Sequence, residues 1–254
     1  MNFSRTSFSG LCFLALTFSC NSGNSASDHE NLGQNDNSST STVTGQEKSG
    51  DWEILFDGEN LDHWRSAKSD SFPSQGWVIE DGALVLNGKG GDIITREKYG
   101  DFELTWEFSL TKEANSGIKY FVDSLTHQET GQIAFNGPEF QIIDDTNHEA
   151  IKDDPNGLSS TASLYLLYAP QNKTLKSAGE WNEARIVAQD GQVEHWLNGT
   201  KVLSYERGSE DYLRRMSKTK FKDYPDYGQT DQGHILITDH QDRVFFRNMR
   251  IRRL

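Results

Sequence analysis

From residue 51 onward, large apolar side chains recur at every second position in short runs, and Gly, Asp and Asn punctuate the gaps. That period belongs to strands with one buried face. The clearest run is 101–110, where Phe102, Leu104, Trp106 and Phe108 share one face and Glu103, Thr105, Glu107 and Ser109 the other. Further strands are predicted at 52–56, 76–80, 83–86, 92–95, 118–122, 139–143, 162–168, 179–188, 192–197, 201–205, 234–238 and 244–254. Asp81-Gly82, Asp190-Gly191 and Asn198-Gly199 are hairpin turns, because both residues of such a pair tolerate positive φ. The last two turns link 179–205 into a three-stranded meander. In the final strand the alternation slips near Arg247-Asn248, which implies a bulge.

One helix is expected over 209–220, with Ser209 as cap, Glu210 and Asp211 in the first turn, and Lys218 and Lys220 in the last. Tyr212, Leu213 and Met216 share its apolar face. Residues 125–133 read as a loop or short edge element, and 144–160 as a long polar loop. Ten or more short strands with a single helix predict an all-β antiparallel sandwich. The chain carries no dinucleotide fingerprint, phosphate loop, HExxH or nucleophile elbow.

The first fifty residues break the pattern. Arg5 followed by an apolar run from Gly10 to Phe18 is too short to span a bilayer and has the form of an export signal over 1–20. Ser19-Cys20 resembles the end of a bacterial lipoprotein signal, although Thr17 stands where an aliphatic residue is usual. Residues 21–50 are too polar to recover their ordering entropy by burial and read as a tether to a domain over 51–254. The expected address is an exported bacterial lipoprotein, held through lipid on Cys20 at the periplasmic or cell-surface face of the outer membrane. Cys12 and Cys20 are the only cysteines, so the domain has neither disulfide nor thiolate metal site.

The formal charge is −13. Arg5 and Lys48 against Asp28, Glu30, Asp36 and Glu47 leave −11 of this on the domain. Such a surface disfavours nucleic acid or an anionic membrane face as partner and is compatible with a sugar. All six tryptophans lie beyond residue 50. Flat rings stack on sugar faces, as Trp196 in the meander can, but they also fill cores.

Eight phrases in order carry a family resemblance: Leu55-Phe56-Asp57-Gly58, Trp77-Val78-Ile79-Glu80-Asp81-Gly82, Tyr99-Gly100-Asp101-Phe102-Glu103-Leu104, Asn115-Ser116-Gly117-Ile118, Pro138-Glu139-Phe140-Gln141-Ile142-Ile143-Asp144, Gly179-Glu180-Trp181-Asn182, Glu194-His195-Trp196-Leu197-Asn198-Gly199, and Gly233-His234-Ile235 through His240 to Phe246-Arg247-Asn248. Over 51–254 the chain resembles the 3-keto-disaccharide hydrolase family. The resemblance implies a concanavalin A-like jelly roll and action on glycosides oxidised to a ketone at C3, by hydrolysis or by elimination.

A C3 ketone acidifies the proton on C2. A base removes it, the enolate forms, and the group on C1 leaves. Such a site needs a base near C2, a cation or donor near the C3 oxygen, and an acid at the leaving oxygen. Glu139 is the first candidate, on a strand whose alternate residues Phe140 and Ile142 fill a core. Lys119 is placed to stabilise an enolate oxygen and His240, in a strand-end loop, to act as base or acid. Asn115, Gln141, Asp144 and Trp196 are candidates for sugar binding. His195 reads chiefly as a structural histidine, and Asp144 also as a turn former. No cofactor is required. A divalent metal is an open option, through His240 with Glu139 or through oxygen ligands of the acidic loop 144–154. Two rivals stand beside this reading: a non-catalytic carbohydrate-binding module, and an endoglucanase. Gln141 counts against the second, because it occupies the position where a second carboxylate is expected.

Overall fold

In the computed structural model of the protein, residues 50–254 are described; the expected signal and the expected tether up to residue 49 lie outside them. Among the described residues, fourteen strands form two antiparallel sheets. The larger sheet orders β12 (Thr200–Glu206), β11 (Gln192–Leu197), β10 (Asn182–Gln189), β6 (Phe102–Leu110), β14 (Val244–Arg253), β4 (Ala83–Leu86) and β3 (Trp77–Glu80), with β1 (Glu53–Phe56) also paired to β14. The smaller orders β2 (Trp64–Ser66), β5 (Ile93–Thr95), β13 (His234–Ile237), β7 (Asn115–Thr126) and β8 (Ile133–Asn136), with β9 (Glu139–Ile143) on the same edge of β7 as β8. The expected sandwich of jelly-roll type is observed.

The apolar alternation decides which faces meet. Phe102, Leu104, Trp106 and Phe108 of β6 are all buried, as are Phe140 and Ile142 of β9 and Phe246, Met249 and Ile251 of β14. Each large side chain so removed from water contributes on the order of 1.5–3 kcal/mol. Trp64 closes one end of the core, its indole Nε1–H donating to the Leu55 carbonyl at 2.9 Å.

The three predicted hairpin turns have positive φ at both residues: Asp81 and Gly82, Asp190 and Gly191, Asn198 and Gly199. The slip in β14 is also present. Its register to β6 shifts between Arg247 and Arg250, with Asn248 at φ 52°.

Strand β7 runs to Thr126 and pairs with β8, which starts at Ile133, so 125–133 is the expected loop, joining two paired strands, while three other elements differ from expectation. The helix α2 (Glu210–Met216) does start at Ser209, whose side chain accepts from Tyr212 N–H, but it stops at Met216; a separate 3-10 turn, Lys220–Asp223, follows. A one-turn helix, α1 (Glu149–Lys152), lies in the polar loop. Finally, 162–168 is a folded strap with only isolated bridges, Phe140 to Leu164 and Leu164 to Tyr168. Ala162 at φ 70° and Leu166 at φ 65° bend it, so Leu164 and Leu167 turn into the core without a continuous strand.

Candidate active site

Strand β9 positions the candidate base. Phe140 points into the core, its ring 5.0 Å from Trp106 and 4.8 Å from His195. Glu139 and Gln141 therefore occupy the outer face of the smaller sheet. Register with β7 pairs Glu139 with Lys119, Gln141 with Gly117, and Ile143 with Asn115. On the other side of β9 the strap completes the surface. Tyr165 N–H donates to the Glu139 carbonyl at 3.0 Å and Gln141 N–H to the Ser163 carbonyl at 3.2 Å. This face is not half-solvated as the alternation suggests: all five residues of β9 are buried.

Gly117 makes room for the carboxylate. A methyl group at that position would lie 2.1 Å from Glu139 Oε1. The opposite edge of β7 fixes the loop after β13. Thr238 N–H donates to the Gly117 carbonyl at 3.0 Å, Ser116 Oγ–H to the Thr238 carbonyl at 2.8 Å, and Asn115 N–H to Asp242 Oδ2 at 3.0 Å. These bonds bring exposed His240 within electrostatic reach of Glu139.

Glu139 is 5% exposed, and its Oε1 has no protein hydrogen-bond partner. Burial pushes its carboxyl above the ordinary glutamate value, opposed by the positive charges of Lys119, His240 and Lys220, while Asp92 adds to the rise. A carboxylate held this way gains basicity from desolvation and keeps cations nearby to sustain its charge. Buried Ser163 Oγ and the Tyr227 hydroxyl also lack protein partners, and Tyr227 senses the Glu139 charge. The free Oε1 of Glu139 leaves an acceptor that a polyhydroxylated ligand can use.

Five of the predicted residues come together. Lys119 Nζ donates to Asn136 Oδ1 at 3.1 Å beside Glu139, and Gln141 Nε2–H to Asn115 Oδ1 at 3.0 Å; His240 stands at the rim. Two predicted residues do not join them. Asp144 is occupied by its own turn, accepting from the backbone N–H groups of Glu113, Thr146 and Asn147 and from Asn147 Nδ2 at 2.7 to 3.2 Å. Those bonds outweigh burial and hold its carboxyl below the usual range. Trp196 lies on the outer face of the larger sheet, across the sandwich from Glu139. Its neighbour His195 takes the inward position, so Trp196 must face out. There the Arg185 guanidinium stacks 4.1 Å from its ring, and its Nε1–H donates to Glu194 Oε2.

His195 is fully buried between the Tyr120 hydroxyl (2.8 Å) and the Ala162 carbonyl (3.0 Å). Burial pushes its imidazole down to about 4, as suits a structural, neutral histidine. The carboxylates of the acidic loop are engaged within the protein. Asp145 pairs with Lys173 and accepts from Thr161 N–H, while Asp154 accepts from Ser159 N–H. Among the described residues no three His, Cys, Asp or Glu side chains converge as a metal-ligand set.

Lys220, Tyr165, Ser163 and Gly117 escaped the sequence reading. Lys220 reads there as a helix-end charge. Ser163 and Tyr165 flank Leu164 at the strand period, a signal that could have marked them as a polar face. A cleft of about 400 Å³ lined by Ser66, Lys68, Lys89, Asp92 and Asp239 adjoins the site through Asp92 and the His240 loop. A second groove, about 420 Å³, opens beside the β14 bulge on the larger sheet and is lined by none of the predicted residues.

The profile of the 3-keto-alpha-glucoside-1,2-lyase-like domain matches residues 51–252. The chain is 32% identical over 223 residues to a 3-keto-disaccharide hydrolase of Bacteroides thetaiotaomicron, covering 78% of this chain and 77% of that protein. A solved structure of a candidate glycosyl hydrolase from Parabacteroides distasonis superimposes with a TM-score of 0.70 at 33% identity, over 80% of this chain and 94% of that one. Another from the same organism gives 0.59 at 25% identity, over 81% and 100%. By the extent of the profile match and this identity, the chain belongs to the family of 3-keto-alpha-glucoside-1,2-lyase-like domains.

Proposed function

We propose that the protein is a carbohydrate-active enzyme that cleaves 3-keto-glycosides, beginning with removal of the C2 proton by Glu139. The observation that carries this reading is a buried carboxylate, without a protein partner on Oε1, set among cationic side chains on a face that also offers amide and hydroxyl groups. Family membership supports the substrate class.

In the proposed sequence the C2–H bond breaks and its proton passes to Glu139. The electron pair forms C2=C3, and the negative charge moves to the C3 oxygen. The C3 carbonyl then re-forms, C1=C2 forms, and the C1–O bond breaks toward the aglycone, which takes a proton from His240. Elimination ends there, with a 2-hydroxy-glycal ketone. Addition of water to C1 and return of a proton to C2 would give net hydrolysis from the same first step. Lys119 sustains the charge of Glu139 before transfer, and the Asn115–Gln141 pair binds sugar hydroxyls. Gln141 is an amide tied to Asn115, so its strand lacks the paired carboxylates of ordinary glycosidases.

The test is incubation with a 3-keto-glucoside and with the same glucoside unoxidised, followed by product chromatography. Aglycone release from the ketone alone is expected. Release from neither, with divalent ions supplied, would refute the reading, and cleavage of unoxidised glucan chains would favour an endoglucanase.

A further inference from the structure

Two lysines stand in the field of Glu139, but only one is committed to the protein. Lys119 donates to Asn136. Lys220 has no hydrogen bond or ion pair among the described residues; its ammonium rests 4.8 Å from the Tyr165 ring centroid and 5.5 Å from that of Phe221. The Tyr165 ring is itself placed by the backbone bond from Tyr165 N–H to the Glu139 carbonyl. Phe221 is buried and stacked on Tyr227 at 4.1 Å. Thr219 caps the 3-10 turn by accepting from Phe221 N–H. The cation is therefore held over an aromatic surface beside the base, by a turn anchored in the core, with its N–H donors unused. An aromatic face stabilises an ammonium without consuming its hydrogen bonds.

Charge accounting gives this arrangement a purpose. Once Glu139 takes a proton it is neutral, while the substrate gains a negative charge. A second cation that does not neutralise Glu139 through a direct bond is then free to meet that charge. We propose that Lys220 is a catalytic residue that binds the C3 oxygen as it becomes an enolate; this rests on the reading of the site as a 3-keto-glycoside-cleaving centre. Its ammonium is complementary to the charge that develops in the transition state, and only weakly to the neutral ketone.

The pH dependence follows from the same groups. Lys220 must carry its proton to act. Desolvation brings its pKa below the ordinary lysine value, Glu139 on β9 opposes the fall, and Lys119 on β7 adds to it. Tyr165, the other titratable neighbour, is pushed up by burial and by the Glu139 charge. His240 and Asp92 act on Glu139 from the loops after β13 and before β5. Activity should thus fall on the alkaline side as Lys220 loses its proton.

The experiment uses the full-length protein, a 3-keto-glucoside, and the variants Lys220→Met and Lys220→Arg. The residue is exposed, so both should fold, Lys220→Met melting about 2–4 °C lower at most through loss of its ring contacts. Lys220→Met is expected to lower kcat about 10²–10³-fold with KM changed little. Lys220→Arg should keep part of the activity and move the alkaline limb to higher pH. Wild-type kcat in Lys220→Met would overturn the role of Lys220 while leaving the 3-keto-glycoside reading intact. An alkaline limb unmoved in Lys220→Arg would also count against it. Absence of turnover in the wild-type protein would refute both.

Discussion

At the scale of the residue, Glu139 sets the terms. Its carboxyl is raised by burial, and this has a consequence for stability as well as for catalysis. Above the ordinary glutamate value of 4.5 the unfolded chain releases this proton before the folded chain does. The folded state then binds more protons, so stability falls as pH rises through that interval. Glu139→Gln should therefore abolish turnover yet melt at a higher temperature than wild type at pH 7, by about 2–4 °C for each kcal/mol recovered. The difference should vanish below pH 4.5, where both states of the wild type are protonated. Thermal scans at pH 4 and pH 7 check this; a lower melting temperature for the variant at pH 7 would contradict it. Glu139 was legible because its neighbours Phe140 and Ile142 fix the inward face. Asp144 reads two ways in the sequence, because a carboxylate at a strand end can meet a ligand or form a turn; the four bonds it accepts show the turn.

At the scale of the element, the site is a product of register. β7 and β9 pair so that Gly117 lies beside the Glu139 carboxylate rather than beneath a side chain. Gly117→Ala places a methyl 2.1 Å from Oε1, too close to leave the carboxylate where it is, and its backbone does not need positive φ. The variant should fold, displace the base and lose activity about 10²-fold, the cost of a misplacement near 1 Å. Wild-type turnover with an unchanged pH profile would show that the close approach does not matter. The hairpins, the meander and the β14 bulge were readable because their signals are local: Asp-Gly and Asn-Gly pairs, and a slip in alternation. The strap 162–168 was not. A continuous apolar run cannot distinguish a strand from a bent segment that fills the core twice, and positive φ at Ala162 and Leu166 has no glycine to announce it. Lys220 was missed because its neighbours Tyr165 and Glu139 are remote in sequence.

At the scale of the whole molecule, the sandwich has two outer faces with different contents. The face of the smaller sheet holds Glu139, Gln141, Lys119 and the strap. The larger sheet instead carries arginines stacked on aromatic rings: Arg185 on Trp196, Arg247 on Trp181, and Arg250 and Arg252 near Trp52. Several of these arginines also pair with Glu103 or Glu107. Trp196→Ala should thus leave kcat and KM on a 3-keto-glucoside within about two-fold and cost on the order of 1 kcal/mol from the lost cation–π contact and packing. A large rise in KM would restore Trp196 to the sugar site. Composition alone could not separate the faces, since tryptophan serves both core and surface; the alternation of His195 and Trp196 could have done so once the inward residue was known.

In the proposed reaction Glu139 removes the C2 proton of a 3-keto-glycoside. The most direct measurement is proton NMR of the full-length protein and its Glu139→Gln variant with a 3-keto-glucoside in deuterated water, following the C2 proton and the released aglycone together. In the wild type, loss of the C2 signal should accompany aglycone release, with a glycal signal if elimination is the final step. In Glu139→Gln both should stop. Undiminished loss of the C2 proton in that variant, or aglycone release with the C2 proton retained, would rule out Glu139 as the base.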